Sequence, residues 1–347
     1  MMRSFRDRDY LITPEGFIFA VIGNLHPADR VIGYLKYVPD EFGKWGRGRQ
    51  RFRRALQHYN VPSVLDSMRF LASKAPQYLF ESSVDNVTLP AVPTDAIVEH
   101  LRPEERLLQL ETAQHHDGLE DKALRLVRMI SEEAKVRAKS MGVTGSILAG
   151  IHDPAFSDID LVVYGFDNAL RVRSFLCEPS GAVGRLAGAS LEKWITERVN
   201  STPLTRQNAI DLLARKWNIG LFDDTEFSVH AVHTEVEISK RYGDERYVPL
   251  GIVDATAKVI DTKESMFMPA VYGVESVDLK GKFPACTVGR IVSFEGLYAD
   301  IAKEGDQVSC RGKLERVESH SGIEHRILVG SPEARGTDFI LPSHARG

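Results

Sequence analysis

Residues 157–165 read SDIDLVVYG, and this run restricts the fold more than any other. Apart from Asp160, residues 159–164 are apolar and rich in β-branched side chains, which fit a pleated, buried surface. Ile159 and Leu161 face one way, and Val162 is apolar on the opposite side. The run is therefore expected as a central strand covered on both faces. Asp158 and Asp160 are two residues apart, so they share one side of the strand with α-carbons roughly 7 Å apart. Two carboxylates at the end of a buried strand repel each other and lose hydration, which is costly unless a cation neutralises them. Magnesium suits such a place, because it takes a few carboxylates together with phosphate oxygens.

The segment leading into this strand supplies a complementary half. From Gly118 to Ser140, the spacing of Leu119, Ala123, Leu126, Val127, Ile130 and Ala134 marks one apolar face of a long helix. Gly145 and Ser146 come just after it. Glycine permits close backbone approach, and a serine hydroxyl with the N–H groups that follow can donate to a phosphate. Helices are then expected near 167–178, 188–199 and 205–217, the last with Thr205 as its N-cap. A strand over 226–238 closes the segment.

In this order, the helix, Gly145-Ser146, loop, Asp158-x-Asp160 and apolar strand resemble the nucleotidyltransferase superfamily that includes DNA polymerase β and the CCA-adding enzymes. The chain as a whole resembles an uncharacterised archaeal group of predicted nucleotidyltransferases. The resemblance implies a polymerase β-like mixed sheet with helices and a site holding two magnesium ions at Asp158 and Asp160. It also implies that Gly145 and Ser146 cradle the phosphates of a nucleoside triphosphate such as ATP, whose nucleoside monophosphate is transferred with release of pyrophosphate. Members of the superfamily bring a third acid from a later strand. Here that strand reads EFSVHAVH from residue 226, and Glu226, Ser228 and His230 alternate onto one face. Glu226 is the only acid among them and is the candidate third catalytic carboxylate. A solvated Glu at a strand entrance is the alternative, and His230 is either a base or a core histidine. An inactive module that binds nucleotide or RNA is the alternative to an enzyme.

The rest of the chain divides by pattern. FIFAVIG and RVIGYLKYV, separated by NLHPAD, read as a β-hairpin or meander. Helical patterning around 62–75 and 102–112 flanks TLPAVPTD, a proline-marked connector. Beyond about residue 245, short apolar runs between Gly, Pro and Asp breaks favour a small all-β barrel or sandwich. The expected fold is thus α+β in three consecutive parts: an N-terminal β-hairpin and helical region (1–116), a nucleotidyltransferase domain (117–240) and a C-terminal β-rich domain (241–347).

Charge adds one further candidate. The 347 residues carry a formal net charge of −4, which excludes a uniformly basic nucleic-acid coat. Yet GKWGRGRQRFRR gathers Lys44, Arg47, Arg49, Arg51, Arg53 and Arg54 around Trp45 and Phe52, a composition suited to RNA or triphosphate. Arg215 and Lys216 near a helix end are read as complements to the helix dipole. Neither His115-His116 nor His152-Asp153 has metal-ligand spacing. Cys177, Cys286 and Cys310 lack C-x-x-C spacing, which argues against a disulfide framework and suits a reducing compartment. The apolar run Phe17–Ile22 is too short for a signal segment or a membrane span. A cytoplasmic protein with no membrane partner is expected.

Overall fold

Ile159–Tyr164 forms an inner strand of a five-stranded mixed sheet in the computed structural model, which describes residues 3–56, 61–178, 181–281 and 286–343. It runs antiparallel to Met141–Val143 on one side and parallel to Thr225–Val232 on the other. Ile219–Phe222 and Val183–Gly184 complete the sheet. Ile159, Leu161, Val162 and Val163 are fully buried, as expected of a strand covered on both faces. The helix Gly118–Glu133 begins at a capping box in which the Asp117 carboxylate accepts from the N–H groups of Leu119 and Glu120.

The N-terminal residues belong to the same compact unit, which comprises 1–56, 91–191 and 217–239. Tyr10–Ile12, Ile18–Val21 and Arg30–Pro39 form an antiparallel meander. The long strand Arg30–Pro39 changes partner along its length: Arg30–Ile32 pairs with Ala91–Pro93, and Tyr37–Pro39 with Phe52–Arg54. That change of partner accompanies the curl of the sheet. Trp45–Arg47 and Gln50–Arg54 make a hairpin through a two-residue turn. Gly48 opens that turn at φ +59°, a conformation glycine adopts without a Cβ penalty.

The second unit comprises 57–90, 192–216 and 240–347. Five of its strands close a ring: Glu245–Asp261, Ala270–Lys280, Val288–Ser293, Gly322–Val329 and Gln307–Ser319, which pairs back to Glu245–Asp261. The C-terminal β-rich stretch is thus a closed barrel, with Phe339–Ser343 added on Gln307–Ser319. Leu204 and Leu212 join its core of Val253, Tyr272, Leu314 and Ile327. The helix Arg206–Arg215 starts at Thr205, whose hydroxyl accepts from the Asn208 N–H.

This architecture corrects the expected fold class. The protein is α+β, but a polymerase β-like core set between an N-terminal hairpin and helical flank and a C-terminal β domain is not what the structure has. Residues 3–56 build a multistranded curled sheet within the same unit as the Asp158 segment, and each unit draws on three stretches of chain. TLPAVPTD is also not a plain connector. Val87–Pro93 is a strand, paired with Leu79–Ser82 through its first half and with Arg30–Ile32 through its second. Its two prolines lack the N–H that ladders need, so the local pattern conceals pairing made with distant segments. No helix among the described residues is long and apolar enough to cross a membrane.

Candidate functional site

Gly145 and Asp160 meet directly. Gly145 adopts φ +68°, and a Cβ built on it would lie 2.2 Å from Asp160 Oδ2. Any side chain at 145 would therefore be strained and would displace the carboxylate. The Thr144 N–H donates to the Asp160 carbonyl at 2.8 Å, and the Thr144 hydroxyl to the Arg8 carbonyl at 2.9 Å. These bonds fix the short helix Gly145–Leu148 against the Asp strand. Ser146 is 3% exposed, and its Oγ has no hydrogen-bond partner among the described residues. A buried hydroxyl in that state is unusual and calls for an explanation.

On the neighbouring strand, Ser228 stands in register with Asp160. Its hydroxyl donates to Asp160 Oδ1, and its Oγ lies 2.9 Å from His230 Nε2. Nε2 is 4.0 Å from the same carboxylate oxygen. Because Ser228 has one proton, its donation to an ionised Asp160 requires Nε2 to carry the other, giving the chain Nε2–H to Oγ–H to Oδ1. Glu226 lies two residues nearer the strand's start and pairs in register with Leu221. From this strand, Ser228 and His230 meet Asp160.

The Asp158 carboxyl is pushed up to about 6 by the charge of Asp160 first and by burial second, with Arg54 and Lys36 opposing. Both cations come from the N-terminal sheet. The Arg54 guanidinium lies 4.7 Å from the Trp45 ring centroid. Lys36, itself buried, has its Nζ 5.0 Å from the Tyr10 ring and 5.9 Å from that of Tyr37. Arg8, held at φ +73°, pairs with Asp7 at 3.1 Å. Burial works against its charge, but Asp7, Tyr34 and Asp160 outweigh that and hold its pKa above the ordinary arginine value. Arg54 was legible in the sequence as part of a basic run. Lys36 and Arg8 were missed; the available signal was a lone lysine inside the apolar strand RVIGYLKYV.

The basic hairpin is brought to the same place. The Gly46 N–H donates to the Ile151 carbonyl at 3.1 Å, and Trp45 meets Phe156 edge to face at 5.9 Å. Lys44, Arg49 and Arg51 are exposed, Arg53 pairs with Asp40 at 3.1 Å, and the Arg47 side chain lies outside the described residues. Arg215 and Lys216 serve the other unit. Arg215 bonds Asp306 and the Ile301 carbonyl, and Lys216 the carbonyls of Gly296 and Ala299.

Two further clusters engage their carboxylates internally, although His152 Nδ1 in the first has no hydrogen-bond partner among the described residues. Asp117, Glu120 and His152 offer ligand atoms within 4.8 Å of one another, a grouping the spacing of His152 did not reveal. Asp117 is engaged by the helix N-terminus and by His152 at 2.7 Å, and Arg106 already pairs with Glu120 at 2.7 Å. The cluster thereby fastens the loop after Leu148 to the start of the helix Gly118–Glu133. At the far end of the Asp strand, a cleft holds Arg6 over Tyr164, Tyr164 bonded to Glu104, and Glu237 capping the Phe166 N–H at 2.7 Å.

No family model matches the chain. No solved structure matches it either, so beyond the four motif residues a polymerase β-like core has no support. One relative extends over nearly the whole length. The uncharacterized protein MJ1086 of Methanocaldococcus jannaschii is 31% identical over 341 residues, covering 96% of this chain and 98% of that protein. The chain belongs to the family of this uncharacterised archaeal protein.

Proposed function

We propose that the site binds a nucleoside triphosphate with magnesium and transfers its nucleoside monophosphate to an acceptor hydroxyl. The observation that carries this reading is the buried Ser146 hydroxyl, without a hydrogen-bond partner among the described residues, next to Gly145, whose backbone abuts the Asp160 carboxylate. A phosphate oxygen would satisfy that donor. Asp158 and Asp160 would hold magnesium, whose hard charge offsets the repulsion that raises the Asp158 carboxyl. The bound ion would supply neutralisation of phosphate charge. Lys36, Arg54 and Arg8 add fixed cations for the remaining negative charge. In the transfer, the acceptor oxygen bonds to the α-phosphorus. The bond to the pyrophosphate oxygen breaks with its electron pair, and the hydroxyl proton passes to Glu226, the one acid on its strand face.

A second reading is favoured by a specific observation. Ser228 and His230 meet Asp160 from the neighbouring strand, and neutral donors are poor partners for a second hard cation. On that reading the protein binds the nucleotide without transferring it. Calorimetry with ATP, GTP, CTP and UTP, with and without magnesium, tests the shared part: binding should require the ion and should vanish in Asp158→Ala and Asp160→Ala. Incubation with α-labelled triphosphate and total RNA or protein extract separates the two. Label transfer that Glu226→Gln abolishes supports the enzyme, and tight binding with no transfer supports the binder.

A further inference from the structure

The hairpin Trp45–Arg54 and the loop leading into Asp158 build a single surface. The Gly46–Ile151 hydrogen bond and the Trp45–Phe156 contact join them. Lys44 Nζ stands 3.7 Å from the Phe156 ring centroid, and the Arg54 guanidinium lies 4.7 Å from that of Trp45. The two adjoining rings, Phe156 and Trp45, are therefore flanked by the cations Lys44 and Arg54. Residues 44–54 contain six Lys and Arg and no Asp or Glu, within a chain of net charge −4. Beside them Phe42 is 96% exposed and Phe156 37% exposed, and Arg49 and Arg51 are also at the surface.

Exposed aromatic rings interleaved with arginines match a polyanion that has flat apolar faces. A duplex hides those faces within its stack. A lone nucleotide offers only one, fewer than the rings and cations gathered here. We propose that this surface holds a single-stranded nucleic acid whose bases stack on Phe42 and Phe156 and whose phosphates meet Lys44, Arg49 and Arg51. The loop carrying Phe156 runs directly into Asp158, so a strand end held here is delivered to the acid pair. Its role as the acceptor rests on the transfer reading above; its binding does not.

Fluorescence anisotropy of the full chain with a labelled oligouridylate of about 12 nucleotides, within the site sizes of single-strand binders, tests this. Phe42→Ala/Phe156→Ala should weaken binding at least about thirtyfold, the loss of two stacking contacts. Arg49→Gln/Arg51→Gln should flatten the log–log salt dependence by about 1.4, two phosphate contacts at roughly 0.7 each. No binding, equal or tighter binding of a duplex of the same length, preference for anionic phospholipid vesicles, or double variants that bind like the parent would each overturn the proposal. Magnesium-ATP titration of the same samples keeps the two ideas apart. ATP binding without oligonucleotide binding sinks only the docking surface, and the reverse sinks only the nucleotide reading.

Discussion

In the barrel unit, Lys313, Glu315 and Arg326 are 2%, 1% and 6% exposed, and every charge among them is answered. Glu315 takes Lys313 at 3.0 Å and Arg326 at 2.8 Å through its two oxygens. Lys313 also reaches Glu333 at 3.1 Å, and the Arg326 guanidinium stacks 3.4 Å from the Tyr247 centroid. The sheet unit buries charge differently. Asp158 and Asp160 press like charges together, and the hydroxyl of Ser146 beside them bonds to nothing among the described residues. Removing one partner from a completed buried network leaves the other charge stranded, so such a network is structural. An incomplete one retains unspent interaction free energy that a ligand can use.

The sharpest way to break this comparison is to remove one acid from each region. Asp160→Ala should lower magnesium-dependent triphosphate affinity at least about a hundredfold, the loss expected of a charged, metal-bridging group. Glu315→Gln should leave that affinity unchanged while removing about 3 kcal/mol of stability in urea unfolding. If Glu315→Gln weakens nucleotide binding as much as Asp160→Ala, the division into structural and functional charge is wrong.

A second test uses pH. The Asp158 carboxyl titrates near 6 in the folded chain against an ordinary value of 3.8, so the fold prefers its protonated form. Its contribution to stability is complete below about pH 4 and is lost as pH rises through about 6. Asp158→Asn mimics the protonated state. Without divalent ions it should therefore be more stable than the parent near pH 8, by on the order of 2 kcal/mol, and indistinguishable near pH 4. Saturating magnesium should shrink the difference at high pH by stabilising only the parent. A parent chain as stable as the variant at high pH would mean that Lys36 and Arg54 already compensate the pair.

The two halves of the site differed in how legible they were. Gly145, Ser146, Asp158 and Asp160 stand together because they lie within sixteen consecutive residues whose helix, turn and strand signals are local. The cap at Thr205 and the alternation that sets Ser228 and His230 beside Asp160 were readable for the same reason. Arg8 and Lys36 were not, because strand pairing brings them in across long sequence separations that no local period records. The same physics concealed Val87–Pro93 as a strand and the joining of His152 to Asp117. The compact units do not follow the consecutive division, because residues 57–90 and 192–216, which interrupt the sheet unit in sequence, belong to the barrel unit.

Ser146 gives the smallest effect and the most specific one, because its two consequences should have opposite signs. Its hydroxyl is buried without a hydrogen-bond partner among the described residues, so it bears a desolvation penalty that no protein hydrogen bond there offsets. Ser146→Ala should leave stability unchanged or raise it by up to about 1 kcal/mol. Triphosphate affinity should fall by about the same amount, roughly fivefold, since one donor is lost while the backbone N–H groups of the turn remain. Ser228→Ala is the matching control. That hydroxyl is bonded to Asp160 and His230, so its removal should lower stability by about 1 kcal/mol in the absence of any ligand. Urea unfolding and calorimetry on both variants make the comparison within one compact unit. If Ser146→Ala instead loses stability and keeps its affinity, the hydroxyl is structural, and the phosphates must bind elsewhere.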